Sequence, residues 1–283
     1  MTAPLVSVVI PCFNSGKTLS RSIESILNQD WPTKQIIIVN DGSTDSFTLD
    51  VIDSFSSNSI IKVISQNNCG LAAARNIGIK NADGEFIIPL DSDDWLEPTA
   101  IKEMFNAYLE VNSDCIVYSD INFEFERIGV KKTFCNPFEQ MFTNQLPYCM
   151  FLPKKFFDEI VGYDEAFIYG LEDWDLNIRL IFSGCTFKKV ELPLFHYSVA
   201  KSGMLQSITI KKFGSIFMVI KKKHSNKYRF SELRRLKIKS SGVPSNNNLN
   251  IYYLQNFCSI VLPSNIYNYI FVIINKLKYL QNN

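Results

Sequence analysis

Short apolar runs alternate with amphipathic stretches from Val6 to Tyr118, and this alternation restricts the fold more than any other feature of the chain. VSVVI (6–10) ends at Pro11, and QIIIV (35–39) ends at Asn40-Asp41-Gly42-Ser43. Runs that are short, β-branched and apolar throughout suit strands buried on both faces. Ile60–Ile64, Glu85–Leu90 and Cys115–Tyr118 continue the series. Between the first two runs, Leu19, Ile23, Ile26 and Leu27 fall at i, i+4, i+7 and i+8, which is one face of a helix over Thr18–Asn28. Asp45–Phe55 and the alanine-rich Gly70–Lys80 are expected to be helical. So is a segment with Pro98 in its first turn that runs to about Glu110. Such alternation builds a mostly parallel sheet with helices on both faces, and sheets of this kind bind ligands beyond the carboxyl ends of their strands.

The pattern loosens after Asn122 into an aromatic, irregular stretch. Helices are expected at Pro153–Ile160 and Asp173–Phe182, and a strand at Thr186–Val190. From about Ser207 the composition shifts to Lys, Asn, Ile and Tyr. GVPSNNN (242–248) reads as a linker, and an aromatic and aliphatic helix is expected over 265–281. The chain's 283 residues are 46% hydrophobic, enough for one large domain plus an appendage. With 29 Lys and Arg against 28 Asp and Glu, the chain lacks the basic bias of a nucleic-acid binder. Seven cysteines, an odd count with no C-x-x-C pair, point to reduced thiols and a cytoplasmic setting, not to disulfides or a zinc site. The N-terminal residues lack the basic region of a signal peptide, and no stretch has the length of a transmembrane helix.

In a parallel sheet, the polar residues that close each strand gather on one rim. Cys12-Phe13-Asn14, Asn40-Asp41-Gly42-Ser43 and Asp91-Ser92-Asp93-Asp94 would then converge. One Asp suffices to cap the helix that follows Asp94, whereas three repel one another unless a cation joins them. Asp91 and Asp93 are hard oxygen donors, few in number, and suit Mg²⁺ or Mn²⁺ completed by phosphate. Asp41 is either an ordinary turn residue or an acceptor for a base or ribose. Arg75 is either a surface side chain or, on a helix slimmed by alanines, a phosphate contact. Asp173 in GLEDWDLNIRL (170–180) either caps its helix or stands at the edge of a cleft as a general base.

VSVVIPCFN (6–14), IIIVNDGSTD (36–45), NNCGLAAARNIGI (67–79), GEFIIPLDSDDWLEP (84–98) and GLEDWDLNIRL together resemble the family 2 glycosyltransferases, over about residues 5–200. The resemblance implies the GT-A fold: a Rossmann-like, mostly parallel α/β sheet flanked by helices, here with a C-terminal helical appendage. The catalytic domain would cover 1–205, with a nucleotide-sugar half of about 1–120 and an acceptor half of 121–205, followed by a helical region over 206–283. The implied activity is inverting, metal-dependent transfer from a nucleotide-sugar, UDP-linked by family habit, to a glycan or lipid-linked glycan acceptor in cell-surface polysaccharide or glycoconjugate synthesis. A catalytically degenerate sugar-nucleotide or partner-binding protein of the same fold is the alternative.

By the same resemblance, Pro11 and Phe13 line the base pocket and Asp41 accepts from the base. Arg75 lies near the phosphates, Asp91 near the ribose, Asp93 on Mn²⁺ or Mg²⁺, and Asp173 acts as base. LFHYSVAKSGM (194–204) departs from the family's usual Tyr-Arg, His and Ser pattern. His196 as a metal ligand and Lys201 as a phosphate contact are expectations alongside an ordinary strand His and a surface Lys. The basic and aromatic tail is expected either to pack on the catalytic domain or a partner subunit or to touch the inner membrane leaflet.

Overall fold

A computed structural model of the chain describes residues 3–111, 113–199 and 210–243, together with a few separate positions from 252 to 267. The chain divides into two compact units. The first takes Met1–Thr133, Pro147–Ile168 and Arg179–Ala200, and the second takes Phe134–Leu146, Tyr169–Ile178 and Lys201–Asn283.

The first unit is an α/β assembly. Strands β1 (Val6–Cys12), β2 (Lys34–Asp41), β3 (Ile61–Gln66) and β4 (Phe86–Pro89) alternate with helices α1 (Gly16–Leu27), α2 (Ser46–Phe55) and α3 (Leu71–Lys80). The strands lie in the order β3-β2-β1-β4 and are mutually parallel. After the two-residue strand β5 (Trp95–Leu96) come helix α4 (Ala100–Leu109) and strands β6 (Cys115–Phe125) and β7 (Gly129–Lys131). The short β8 (Leu152–Pro153) adds to β4 antiparallel at the sheet edge and leads into α5 (Lys154–Glu159).

The continuous apolar runs are buried as their composition requires. Val6, Val8, Val9 and Ile10 in β1 and Ile36, Ile37, Ile38 and Val39 in β2 have no exposed surface. Leu19, Ile23 and Ile26 of α1 are also wholly buried and form the predicted apolar face. Asp45 caps α2, its Oδ1 accepting from the Thr48 N–H at 3.0 Å. Helix α3 lies very close to the sheet. A Cβ built on Gly78 would stand 2.3 Å from Cγ1 of Val9 and 2.9 Å from Cγ2 of Val39, closer than any side chain tolerates.

A second sheet exceeds the sequence expectation. Strand β9 runs from Thr186 to Val199, and β6 extends to Phe125, so both are longer than the strands expected at 186–190 and 115–118. They pair in parallel along their length within the order β5-β9-β6-β7. The register shifts at Ser119 and Asp120. The extensions mix polar and apolar residues and range from buried to exposed, so they lack the continuous apolar signal of the central strands.

The second unit contains a 3₁₀ turn at Glu139–Met141 and the first turns of α6 (Glu172–Phe182), which enters the first unit at Arg179. Helices α7 (Ile210–Lys223) and α8 (Phe230–Lys239) follow. Within this unit Trp174 is fully buried and donates from Nε1 to the carbonyl of Gln140 at 2.6 Å. It stacks on Phe217 of α7 with ring centroids 5.7 Å apart. The helix expected over 265–281 falls almost entirely outside the described residues. No helix among the described residues is long and apolar enough to cross a membrane.

Candidate active site

The strand ends of the first unit do converge, and short polar contacts join them. Asn14, in left-handed backbone at φ 48° after β1, receives the N–H groups of Thr44 and Asp45 on Oδ1 and donates its own N–H to Oγ of Ser43. Asx side chains suit this conformation because they bond to nearby backbone. Ser15 Oγ lies 2.7 Å from Ser92 Oγ and so connects the end of β1 to the acidic turn after β4.

Asp41 closes β2 and is nearly buried. Its Oδ1 accepts from Nε2 of Gln66 at 2.6 Å and from the N–H of Cys69 at 2.8 Å, and its Oδ2 accepts from the N–H of Gly70 at 2.9 Å. Gly70 sits at φ 90°, a region glycine enters without strain, and that conformation turns its N–H toward the carboxylate. Asp41 therefore organises the loop that opens α3. A carboxylate offers about four acceptor positions, so one remains for a ligand. Pro11 lies at the buried end of β1, and the Phe13 ring is 48% exposed on the same rim.

Arg75 is not a surface side chain. It is 1% exposed and donates from Nη2 to Oδ1 of Asp91 at 2.6 Å. Its guanidinium lies 4.8 Å from the Tyr148 ring centroid and 5.4 Å from that of Tyr163. The small residues of α3 allow this approach: Ala72, Ala73 and Ala74 are buried, and Gly78 admits the sheet.

Carboxylate oxygens of Asp91, Asp93 and Asp94 lie within 4.8 Å of one another. Their environments differ. Asp91 keeps its Arg75 partner, and its backbone N–H donates to the Tyr148 hydroxyl. Burial, then the charge of Asp91, raises Asp93 to about 6. Asp94 is 1% exposed, and burial followed by the charges of Asp93 and Asp91 raises it well above the usual carboxylate range. Its Oδ2 accepts from Tyr148 and its Oδ1 from the N–H of Ser198 at 2.7 Å. Asp94 is thus anchored by the protein, whereas Asp93 bears negative charge that burial disfavours. Hard oxygens gathered with surplus charge are a donor set that could hold a divalent cation.

Side chains that the sequence did not single out hold this turn. Ser22 of α1 donates to the carbonyl of Asp94 at 2.6 Å. Arg21 donates from Nη2 to the carbonyl of Asp93 at 2.8 Å and to Ser198 Oγ at 3.2 Å. Its guanidinium lies 3.8 Å from the Trp95 ring centroid. Tyr148 comes from the irregular aromatic stretch, where no periodicity could mark it. Asp94 stood in the acidic cluster itself, so its presence was legible and its burial was not.

His196 lies elsewhere. Its Nε2 is 2.7 Å from Oε1 of Glu97, its Nδ1 is 2.9 Å from Oε1 of Glu124, and its ring stacks on Trp95. Both nitrogens are committed to carboxylates by the pairing of β5, β6 and β9. Of the described residues whose ligand atoms gather with those of Asp91, only Asp93 and Asp94 do so. Lys201 lies outside the described residues.

Asp173 belongs to the second unit. It is half-buried in the first turn of α6, where Oδ1 accepts from the N–H of Trp174 and Oδ2 accepts from Nδ2 of Asn144 at 2.7 Å. Asn144 is held in turn by Gln140 at 2.7 Å and Asn177 at 3.0 Å on its Oδ1.

Comparison with known proteins places this geometry. The model described as Glycosyl transferase family 2 matches residues 7–157, and one described as the N-terminal domain of galactosyltransferase matches 147–202. A putative glycosyltransferase, EpsH of Bacillus subtilis, is 30% identical over 235 residues, covering 76% of this chain and 67% of EpsH. The cholesterol galactosyltransferase of Borreliella burgdorferi is 40% identical over 134 residues, covering 47% of this chain but only 37% of that enzyme. Among solved structures, Staphylococcus aureus TarS residues 1–349 in complex with UDP-GlcNAc superimposes with a TM-score of 0.64 at 20% identity, covering 76% of this chain and 65% of that TarS fragment. The TarS likeness establishes the GT-A architecture of the chain. The family match over more than half the sequence and the breadth of the EpsH alignment show that the chain belongs to glycosyl transferase family 2 and is a glycosyltransferase.

Proposed function

We propose that the protein transfers a sugar, with inversion, from a UDP-sugar to a hydroxyl of a glycan or lipid-linked glycan, at the cytoplasmic face of a cell making surface polysaccharide or glycoconjugate. The observation that supports the donor half is the placement of Asp41 at the end of β2 and of the Arg75-paired Asp91 with Asp93 just past β4, at the carboxyl ends of parallel strands. UDP is favoured because TarS, of the same architecture, is solved with UDP-GlcNAc and with UDP. A lipid-borne acceptor is favoured by the cholesterol galactosyltransferase relative.

Asp41 accepts the base N–H at its remaining acceptor position, between Pro11 and the Phe13 ring. Asp91 faces the ribose, and Asp93 with Asp91 would hold Mn²⁺ or Mg²⁺, which when bound would supply positive charge against the leaving diphosphate. Arg75 fixes Asp91 and adds charge on the phosphate side. Asp173, oriented by Asn144, takes the proton from the acceptor hydroxyl as that oxygen attacks opposite the leaving group. Lys201 is a further phosphate contact in this reading.

Release of UDP from UDP-GlcNAc and related donors tests the proposal. The expected result is Mn²⁺-stimulated release that Asp93→Ala abolishes and that Asp173→Asn leaves in place while acceptor transfer stops. Absence of metal-stimulated release across the common UDP-sugars would refute the donor assignment. NMR of a nascent product with retained anomeric configuration would refute single displacement.

A further inference from the structure

Helices α7 and α8 carry a charge imbalance that the whole chain conceals. Residues 210–239 contain 11 Lys and Arg against one acidic residue, Glu232, leaving 18 against 27 for the rest of the chain. Folding turns part of this charge outward beside large apolar side chains. In α8, Leu233 and Leu236 are buried, whereas Phe230 is 71% and Ile238 is 65% exposed. Arg234 lies between them at i+4 and is exposed, and Arg235 is exposed beside it, paired with Glu232 at 2.7 Å. Positions i, i+4 and i+8 form one line along a helix, so the solvent face of α8 presents apolar, cationic and apolar groups in succession. On α7, Val219 is exposed with Lys222 on the same face by spacing, whereas the neighbouring Lys223 turns its ammonium to the buried Asp175 at 2.9 Å.

From this face we infer a docking surface for an anionic lipid bilayer. An aqueous polyanion would use the guanidinium groups and gain nothing from Phe230 or Ile238. A bilayer uses both: basic groups meet the anionic headgroups, and the apolar side chains enter the region beneath them. The low overall hydrophobicity of α8 and its basic character fit a helix that lies in the interface and does not span it. The inference requires neither the donor nor the metal of the active site, so it stands or falls separately from the proposed chemistry.

Cosedimentation of the full chain with vesicles tests it. Vesicles of phosphatidylcholine containing about one-third phosphatidylglycerol should bind the protein, pure phosphatidylcholine should not, and salt should weaken the binding. Arg234→Gln with Arg235→Gln should lower partitioning at least about tenfold. Ile238→Ser should lower it severalfold at constant charge while circular dichroism stays unchanged, since Ile238 is exposed. Failure of the wild type to bind anionic vesicles would overturn the inference. So would equal binding to neutral vesicles, or binding indifferent to Ile238→Ser. Retention on heparin without vesicle binding would assign the face to a soluble polyanion instead and would also overturn it.

Discussion

Replacing Asp93 with Asn tests whether the acidic turn is built for a cation at the expense of the protein's own stability. In the metal-free protein, burial and the neighbouring charge of Asp91 raise the Asp93 carboxyl from its ordinary 3.8 to about 6. A group whose folded pKa lies above its unfolded value contributes stability that is complete below the unfolded pKa and is lost as pH rises through the folded one. Ionising Asp93 between pH 3.8 and 6 therefore costs the fold about 3 kcal/mol, at about 1.4 kcal/mol per pH unit. Asn cannot ionise, so Asp93→Asn in EDTA should be more stable than wild type by up to about 3 kcal/mol at pH 8, falling to about 1 kcal/mol at pH 4.5. Relief of Asp94, whose carboxyl Asp93 also pushes up, acts in the same direction. Urea denaturation at the two pH values measures the difference. Adding Mn²⁺ at about 100 times its dissociation constant should return roughly 2.7 kcal/mol to the wild type at pH 8 and nothing comparable to the variant. A variant no more stable than wild type at pH 8, or a gain identical at both pH values, would refute the electrostatic reasoning.

Gly78→Ala should destabilise by about 1–3 kcal/mol, read by urea denaturation, because the added methyl meets Val9 and Val39 in a packed layer. Tyr148→Phe removes the hydroxyl that bonds Asp94 and accepts from the N–H of Asp91. A loss of about 1.5–3 kcal/mol and a weaker Mn²⁺ affinity by titration are expected. Cys69 is exposed and its N–H rests on Asp41, so saturating UDP should slow its alkylation by iodoacetamide, followed by peptide mass spectrometry. Asp41→Ala, which frees the N–H groups of Cys69 and Gly70, should lower UDP affinity at least about tenfold by calorimetry while the fold persists.

Much of the donor half was legible in one dimension. Period and composition placed β1 to β4 and α1 to α3, because a strand buried on both faces must be apolar throughout and a helix on a sheet must be apolar along one side. Parallel pairing then required the ends of β1, β2 and β4 to meet at one edge, and the Asn14–Ser43 and Ser15–Ser92 contacts join them there. The choice left open for Arg75 was decided by packing: three alanines and Gly78 let α3 approach until the guanidinium reached Asp91. The length of the second sheet escaped notice because β6 beyond Tyr118 and β9 beyond Val190 mix polar with apolar residues, and a mixed strand looks like a loop.

What the sequence determined alone was the order of elements and the set of acidic residues at strand ends, since both follow from local periodicity. Only the tertiary structure decided what each carboxylate does. It bound Asp94 to Tyr148 and Ser198, fixed Asp91 on Arg75, left Asp93 holding disfavoured charge, and removed His196 to Glu97 and Glu124. Neighbouring residues in the chain share a composition but not a solvent environment. Desolvation and partner distance, which set the charge and role of a carboxylate, arise only when distant segments close around it.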